Sequence, residues 1–328
     1  MGEKYYLFSS GRLINNGNIL KNIKLNNEER EVNLDEIKDI YIIGKVKIQG
    51  ACIEYLKKLK ISIHYFNSYG YYRGSIYSKR NSSSDILLVK QAQNLLNEKK
   101  RIKIIKEITK GMSNNLLKNI NYYKYKGRDL KMELMELKFL NEKIDMCENI
   151  QELIWIEKSI RGSYYKCWSK IFNQDIYCVK KEKKLSTESV NALTSFVNSL
   201  MYTTIFSEIS KTDLNCIMNY LHSVGERHFS SYLDISQIFR PLIADKLIFL
   251  LINKGIIKKE DFQKKDDFCY IKESAREKII CEYIKKIEKP LKNKKITKDI
   301  NYRKLVNIEC FKIIEFLNGN KDYKAFKI

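Results

Sequence analysis

The sequence predicts an α+β fold: a small N-terminal β-sandwich-like domain over residues 1–80, followed by a larger all-α domain over residues 81–328. Three observations predict it. Residues 1–80 carry short β-branched and aromatic stretches punctuated by seven of the chain's 13 glycines, a pattern of strands and turns. From Asp85 onward the apolar residues recur at helical spacing. Only Pro241 and Pro290 interrupt the whole chain, which permits long unbroken helices.

Lys4 to Ser9 is the first expected strand, followed by the turn signal Asn16-Gly17. Ile40 to Ile48 and Ile61 to Phe66 are the next strands, the second closed by Asn67-Ser68-Tyr69-Gly70. Between them, Ala51 to Lys60 places Cys52, Leu56 and Leu59 on one face and predicts a helix. Asn81-Ser82-Ser83-Ser84-Asp85 reads as a serine-rich connector ending in a helix N-cap, so the domain boundary falls near residues 78–86. Leu87, Leu88, Ala92, Leu95 and Leu96 open the helical region, where no strand-like alternation and no fixed repeat is expected.

Lysine and arginine number 61 against 39 aspartate and glutamate, a formal charge of +22 with a pI near 9.4. Self-repulsion of this size is best tolerated beside a polyanion. An AT-rich genome would enrich lysine without making the acidic residues lag, so nucleic acid is the leading partner and an anionic membrane surface the second. The longest apolar run, Leu247 to Ile252, is far short of the roughly 18 residues of a membrane span. The N-terminal stretch has no apolar segment of the secretory kind, and Tyr6 stands where a myristoylation site needs Ser or Thr. A soluble, cytoplasmic protein is expected.

The cysteines at 52, 147, 167, 178, 216, 269, 281 and 310 form no C-x-x-C pair, and the chain has only three histidines. Reduced, mostly buried thiols are expected rather than disulfides or zinc. Two basic stretches stand out. One holds Lys99, Lys100, Arg101, Lys103, Lys106 and Lys110; the other runs from Lys285 to Lys304, including Lys286, Lys289 and Lys292, against only Glu288 and Asp299. Each is either a solvated face or a phosphate-contacting surface, and the whole-chain excess favours the second for at least one.

Glu157 lies in the apolar run Leu153-Ile154-Trp155-Ile156, with Arg161 four residues on; an ordinary i,i+4 ion pair is the simplest reading. His222 follows Leu221, Asp234 follows Leu233, and Arg240-Pro241 and Asp245 come next. Taken together, Glu, His and Asp make an oxygen/nitrogen set suited to Mg2+ or Mn2+ rather than zinc or copper. In a basic protein such a set points to phosphodiester chemistry.

The segment from Asn191 to Asp245, with its Asn-Ala-Leu, Leu-His and Leu-Asp-Ile-Ser-Gln-Ile-Phe-Arg-Pro motifs, resembles the central signature of the CRISPR adaptation integrase family, CRISPR-associated protein one. The resemblance runs the full length: SSGRLINNGN and YFNSYGYYRGSIYSKR resemble its β-domain hairpins, WIEKSIRGSYY its Glu-Gly-x-x-Arg-x-x-Tyr-Tyr, and NYRKLVNIECFKII its closing helix. It is most like the form accompanying type I systems. The resemblance implies metal-dependent DNA endonuclease and integrase activity, inserting short foreign fragments into a CRISPR array by transesterification. It places Glu157 and His222 on two of three metal ligands. Gln237 stands at the third, acidic position, and a neutral amide binds a hard dication more weakly. Asp234, one turn earlier, or Asp245, two turns later, each offers the missing charge. A catalytically silent DNA-binding scaffold is the alternative, and a basic RNA-binding module a weaker third reading.

Binding of double-stranded and branched DNA is expected, with Arg161, Tyr165 and, from the basic stretch, Lys285, Lys286, Lys289 and Lys292 as contact residues; Arg240 contacts phosphate, orients Asp234 or makes a structural salt bridge. Tyr164 and Tyr202 are further stacking candidates, against the commoner role of core packing. The resemblance also implies a homodimer through the β domain and a complex with the small CRISPR-associated protein two.

Overall fold

The computed structural model describes residues 3–8, 10–24, 28–67, 69–77, 84–172, 187–216, 218, 220–221, 231–265, 268–291 and 300–328. The chain divides into two compact units, Met1–Arg80 with Glu260–Lys278, and Asn81–Lys259 with Ile279–Ile328. A β-strand N-terminal region is followed by a predominantly helical one, the α+β arrangement expected.

In the first unit the elements are β1 (Glu3–Leu7), β2 (Gly11–Asn16), β3 (Ile19–Lys24), β4 (Glu29–Asn33), β5 (Ile37–Ile43), β6 (Val46–Ile48), α1 (Gly50–Lys58), β7 (Ser62–Phe66) and β8 (Tyr72–Ile76). They form two four-stranded sheets, ordered β1-β5-β7-β8 and β4-β3-β2-β6. Strands β1, β5 and β7 run parallel, with Tyr5 opposite Ile40 and Ile40 opposite Ile63. Leu7, Ile40, Ile42 and Ile63 of one sheet, Leu13 and Leu20 of the other, and Cys52 and Leu56 of α1 share a single core. The β2–β3 hairpin turns at Asn16-Gly17, where Gly17 has a φ of 56°, a conformation that favours glycine. At Gly11 a Cβ would collide with the Ile23 carbonyl, so the strands approach there only without a side chain.

Two expectations are corrected. Ile40 to Ile48 is not one strand: the chain leaves the central position of the first sheet as β5 and joins the edge of the second as β6. The uninterrupted burial of Ile40–Ile43 is that of a central parallel strand, whereas Lys47 in β6 is exposed. The helical half also holds strands, since β9 (Phe262–Lys265) and β10 (Phe268–Ile271) form an antiparallel hairpin that clusters with the first unit. Tyr270 of this hairpin meets Tyr69 edge-on, with ring centroids 5.4 Å apart.

The helices that follow are α2 (Ser84–Leu96), α3 (Glu98–Tyr125), α4 (Lys131–Lys143), α5 (Ile150–Lys166), α6 (Trp168–Ile171), α7 (Thr187–Ile209), α8 (Ser231–Phe239), α9 (Lys246–Asn253), α10 (Glu273–Glu288) and α11 (Tyr302–Leu317). The expected connector at residues 81–83 lies outside the described residues; α2 starts at Ser84. Side-chain caps set several starts: Asn97, Asn149 and Asn301 accept the backbone N–H groups of Lys100, Glu152 and Lys304. The 28-residue α3 packs against α4, α5 and α8 and so forms the spine on which the candidate site is built. Cys52, Cys147, Cys167, Cys216 and Cys310 are buried free thiols, Cys269 is half-buried and Cys281 exposed; Cys178 lies outside the described residues. Among the described residues no helix is long and apolar enough to cross a membrane.

Candidate active site

Helix α5 buries Leu153, Ile156, Ile160 and Tyr164, a stripe at helical spacing. Glu157 sits within that stripe, 2% exposed, so the fold carries a carboxylate on a face otherwise meant for the core. Arg161 Nε lies 2.9 Å from Glu157 Oε1, which is the i,i+4 ion pair expected. The N–H is not aimed along a hydrogen-bonding direction, and Oε1 is left without a hydrogen-bond donor. Burial raises the Glu157 carboxyl above its ordinary range, opposed by Arg161, Arg240 and Lys158.

Helix α8 supplies Asp234 and Gln237, three residues apart and therefore on one face. Both are buried. Asp234 Oδ2 accepts two backbone N–H groups, from Tyr220 at 2.7 Å and Leu221 at 3.3 Å, while its Oδ1 has no hydrogen-bond partner. Gln237 Oε1 is also buried without a partner. Burial pushes the Asp234 carboxyl up to about 7, against the two backbone donors and the Arg101 charge, while nearby Glu157 adds to the rise.

The Tyr220–Leu221 backbone is clamped from a second side, because Arg101 Nε of α3 donates to the Tyr220 carbonyl at 2.6 Å. Gln91 of α2 accepts the Asn215 N–H at 2.8 Å and steadies the approach to this turn. His222 comes next in the chain and lies outside the described residues. Sequence pattern does not single out Gln91, and it places Arg101 only in a basic stretch that is either a solvated face or a phosphate-contacting surface. In the fold the Arg101 Nε faces inward.

Between α8 and α9 the chain makes a π-helical turn, Pro241–Asp245, with the Asp245 N–H bonded to the Arg240 carbonyl at 3.0 Å. Pro241 has no N–H to offer, and α3 side chains bond carbonyls around the turn: Asn119 Nδ2 donates to the Pro241 carbonyl at 2.6 Å and Asn115 Nδ2 to the Ile238 carbonyl at 3.0 Å. Asp245 is turned toward Arg240, 3.8 Å away, and toward the Tyr164 hydroxyl. Burial pushes its carboxyl up to about 6, with Arg240 and Tyr164 holding it down. Arg240 lies over the Tyr165 ring, 5.5 Å from its centroid. Tyr165 is 38% exposed, whereas Tyr164 is fully inside and packs edge-on against Trp168, the core role. Tyr202 on α7 contributes to the field at both Arg240 and Tyr165.

Of the basic residues, Lys106 donates to the Asp145 carbonyl at 2.9 Å and Lys110 pairs with Asp145 and Glu107, so these tie loops down. Lys99, Lys100 and Lys103 are exposed. Lys285 pairs with Glu282 at 2.7 Å, Lys286 covers the Tyr302 ring, Lys289 is exposed, and Lys292 lies outside the described residues.

Among the described residues no three His, Cys, Asp or Glu side chains cluster to hold a metal. The residues present nonetheless fit a hard dication: Glu157 Oε1, Asp234 Oδ1 and Gln237 Oε1 are buried oxygens without donors, and the two carboxylates feel each other's charge. A cation there would partner the Asp234 and Gln237 oxygens and offset the repulsion between the carboxylates.

The family profile described as "CRISPR associated protein Cas1" matches residues 5–285. The CRISPR-associated endonuclease Cas1 of Fusobacterium nucleatum is 36% identical over 328 residues, covering 100% of this chain and 97% of that protein. A solved structure of a Cas1 protein from Thermotoga maritima superposes with a TM-score of 0.83 at 26% identity, covering 99% of this chain and 100% of its own. A casposase bound to integration product shares the fold, with a TM-score of 0.80 at 17% identity over 99% of this chain and 93% of its own.

Proposed function

The chain belongs to the CRISPR-associated protein Cas1 family, and from that premise we propose a divalent-metal-dependent DNA endonuclease and integrase that inserts short foreign DNA into a CRISPR array by transesterification. The observation that carries the metal-dependent reading is the set of three buried, donorless oxygens on Glu157, Asp234 and Gln237. Glu157 and Gln237, with His222, would hold Mg2+ or Mn2+, and Asp234 Oδ1 would add charge beside them. When bound, the ion would polarise the scissile phosphate and stabilise the leaving oxygen. Asp234 Oδ2 holds the backbone that leads into His222. Arg161 and Arg240 flank Glu157 and offer cations to the phosphate oxygens, and Tyr165 keeps the Arg240 guanidinium in place. Double-stranded and branched DNA are the proposed substrates, with a homodimer formed through the β domain and CRISPR-associated protein two as partner.

Gln237 favours a second reading, the catalytically silent scaffold. Strand transfer of a short duplex into a repeat-containing target with Mn2+ separates the two. Active wild-type protein, silenced by Glu157→Ala, is expected. Gln237→Glu restores a carboxylate and should raise activity ten- to hundredfold, roughly 1.4–2.8 kcal/mol. DNA binding without strand transfer, in both wild type and Gln237→Glu, would establish the scaffold.

A further inference from the structure

Outside the candidate active site, the end of α3 and the length of α9 enclose a cavity of about 580 Å3, within the roughly 300–1,000 Å3 typical of ligand pockets. Its cations are Lys118 and Lys126 from the α3 side, Lys246 and Lys254 from α9 and its end, and Arg128. No carboxylate lines it. Among the described residues, none of these four lysines has an acidic partner within ion-pair distance. Its apolar wall is aromatic: Tyr122, Tyr123 and Phe249, with Tyr123 set edge-on against Phe249 at 5.3 Å between centroids. Tyr122 is 54% exposed, leaving its ring available, and Lys126 sits 5.9 Å from that ring's centroid.

This charge distribution is unfavourable as it stands. Lys246 is half-buried, and both burial and the neighbouring Lys118 charge lower its pKa. Lys286 feels Lys246 in turn, so three lysines repel one another through partly desolvated space. An anion in the cavity would remove that cost. Rings beside unpaired cations are the combination that binds a base and its phosphate together, through stacking and charge without sequence readout.

We propose that this cavity binds one unstacked nucleotide of a DNA strand, its base against Tyr122 and its phosphate among Lys118, Lys246 and Lys254. That the nucleotide belongs to DNA rests on the proposed function; the cavity's affinity for nucleotide chemistry does not.

Fluorescence titration tests it with three probes: a blunt duplex, the same duplex with a 3′ tail of about five nucleotides carrying 2-aminopurine, and free dAMP as competitor. The wild-type protein should bind the tailed duplex more tightly than the blunt one and quench the 2-aminopurine. Lys118→Gln with Lys254→Gln, both at exposed positions, should reduce the tail's advantage about tenfold and lower its salt slope by roughly 0.7 per lost phosphate contact. Tyr122→Ala should abolish the quenching, and Tyr122→Phe should restore it. Competition by dAMP at micromolar concentration would identify a free nucleotide as the source; a tail-dependent gain that dAMP leaves untouched would identify a strand end. Blunt-duplex binding with neither tail advantage nor dAMP competition, or variants of unchanged melting temperature that alter nothing, would overturn the proposal. Failure to bind any duplex would instead count against the proposed function, and Tyr122-dependent quenching of a free 2-aminopurine nucleotide, competed by dAMP, would still uphold the cavity.

Discussion

Asp234 shows how one side chain divides its two oxygens. Oδ2 closes a turn fourteen residues earlier in the chain, and Oδ1 faces the buried site without a donor. Two substitutions separate these duties. Asp234→Asn keeps a carbonyl oxygen for the Tyr220 and Leu221 N–H groups but removes the charge. Asp234→Ala removes both and leaves two buried donors unpaired. Urea denaturation should show the Ala variant destabilised by about 2–3 kcal/mol and the Asn variant by under about 1 kcal/mol. If the turn is the main duty, Asp234→Asn should keep strand-transfer activity within about tenfold of wild type. An Asn variant as inactive as Glu157→Ala would show that the charge matters more. Gln237 poses the complementary case: its amide oxygen on α8 is buried without a partner, as Asp234 Oδ1 is, but carries no charge.

The π-helical turn after α8 is costly in isolation, since Pro241 interrupts the hydrogen-bond ladder, and α3 is shaped to compensate. Asn119→Ala strands the Pro241 carbonyl without its 2.6 Å donor inside the protein. It should cost about 1–3 kcal/mol, read as a lower urea midpoint with an unchanged m value. Helix α10 shows the opposite balance. Lys286 is pulled down to about 8 by burial and by Lys246 and Lys289. Below pH 8 this lysine is protonated in both folded and unfolded chains, and the folded state bears the full cost of its buried charge. Between pH 8 and about 10.4 the folded chain has released the proton while the unfolded chain still holds it, so stability rises with pH. Lys286→Met should therefore raise stability by roughly 1–2 kcal/mol at pH 7, and the gain should fade by pH 10. A gain independent of pH would assign the effect to packing alone. If Lys286 contacts DNA, the same variant should bind DNA more weakly.

At the scale of the whole molecule, the charge of +22 is a statement about partners. DNA affinity should fall steeply with salt, with a log–log slope near −0.9 per neutralised phosphate on duplex DNA. Replacing Lys285, Lys289 and Lys292 by Gln should flatten the slope and leave sequence preference unchanged, as expected of backbone contacts. Lys285 is already paired with Glu282 and should contribute least. An unaltered slope would return these residues to an ordinary solvated face.

Composition and local pattern alone determined the fold class, the strand-rich start, the helical remainder and the apolar stripe that carries Glu157, because strand and helix periods are written within a few residues of one another. The ordered motifs from Asn191 to Asp245 likewise carried the family resemblance, since motif order survives without coordinates. Tertiary structure alone decided that Ile40 to Ile48 divides between two sheets, that the β9–β10 hairpin of the helical half clusters with the first unit, and that Arg101 grips a carbonyl 119 residues away. It also assigned Asp234 Oδ2 to the Tyr220 turn and Asp245 to Arg240 and Tyr164. The physical reason is range. A hydrogen bond or buried charge pair is chosen by which backbones packing brings within about 3 Å, and partners distant in sequence leave no periodic trace in the residues between them.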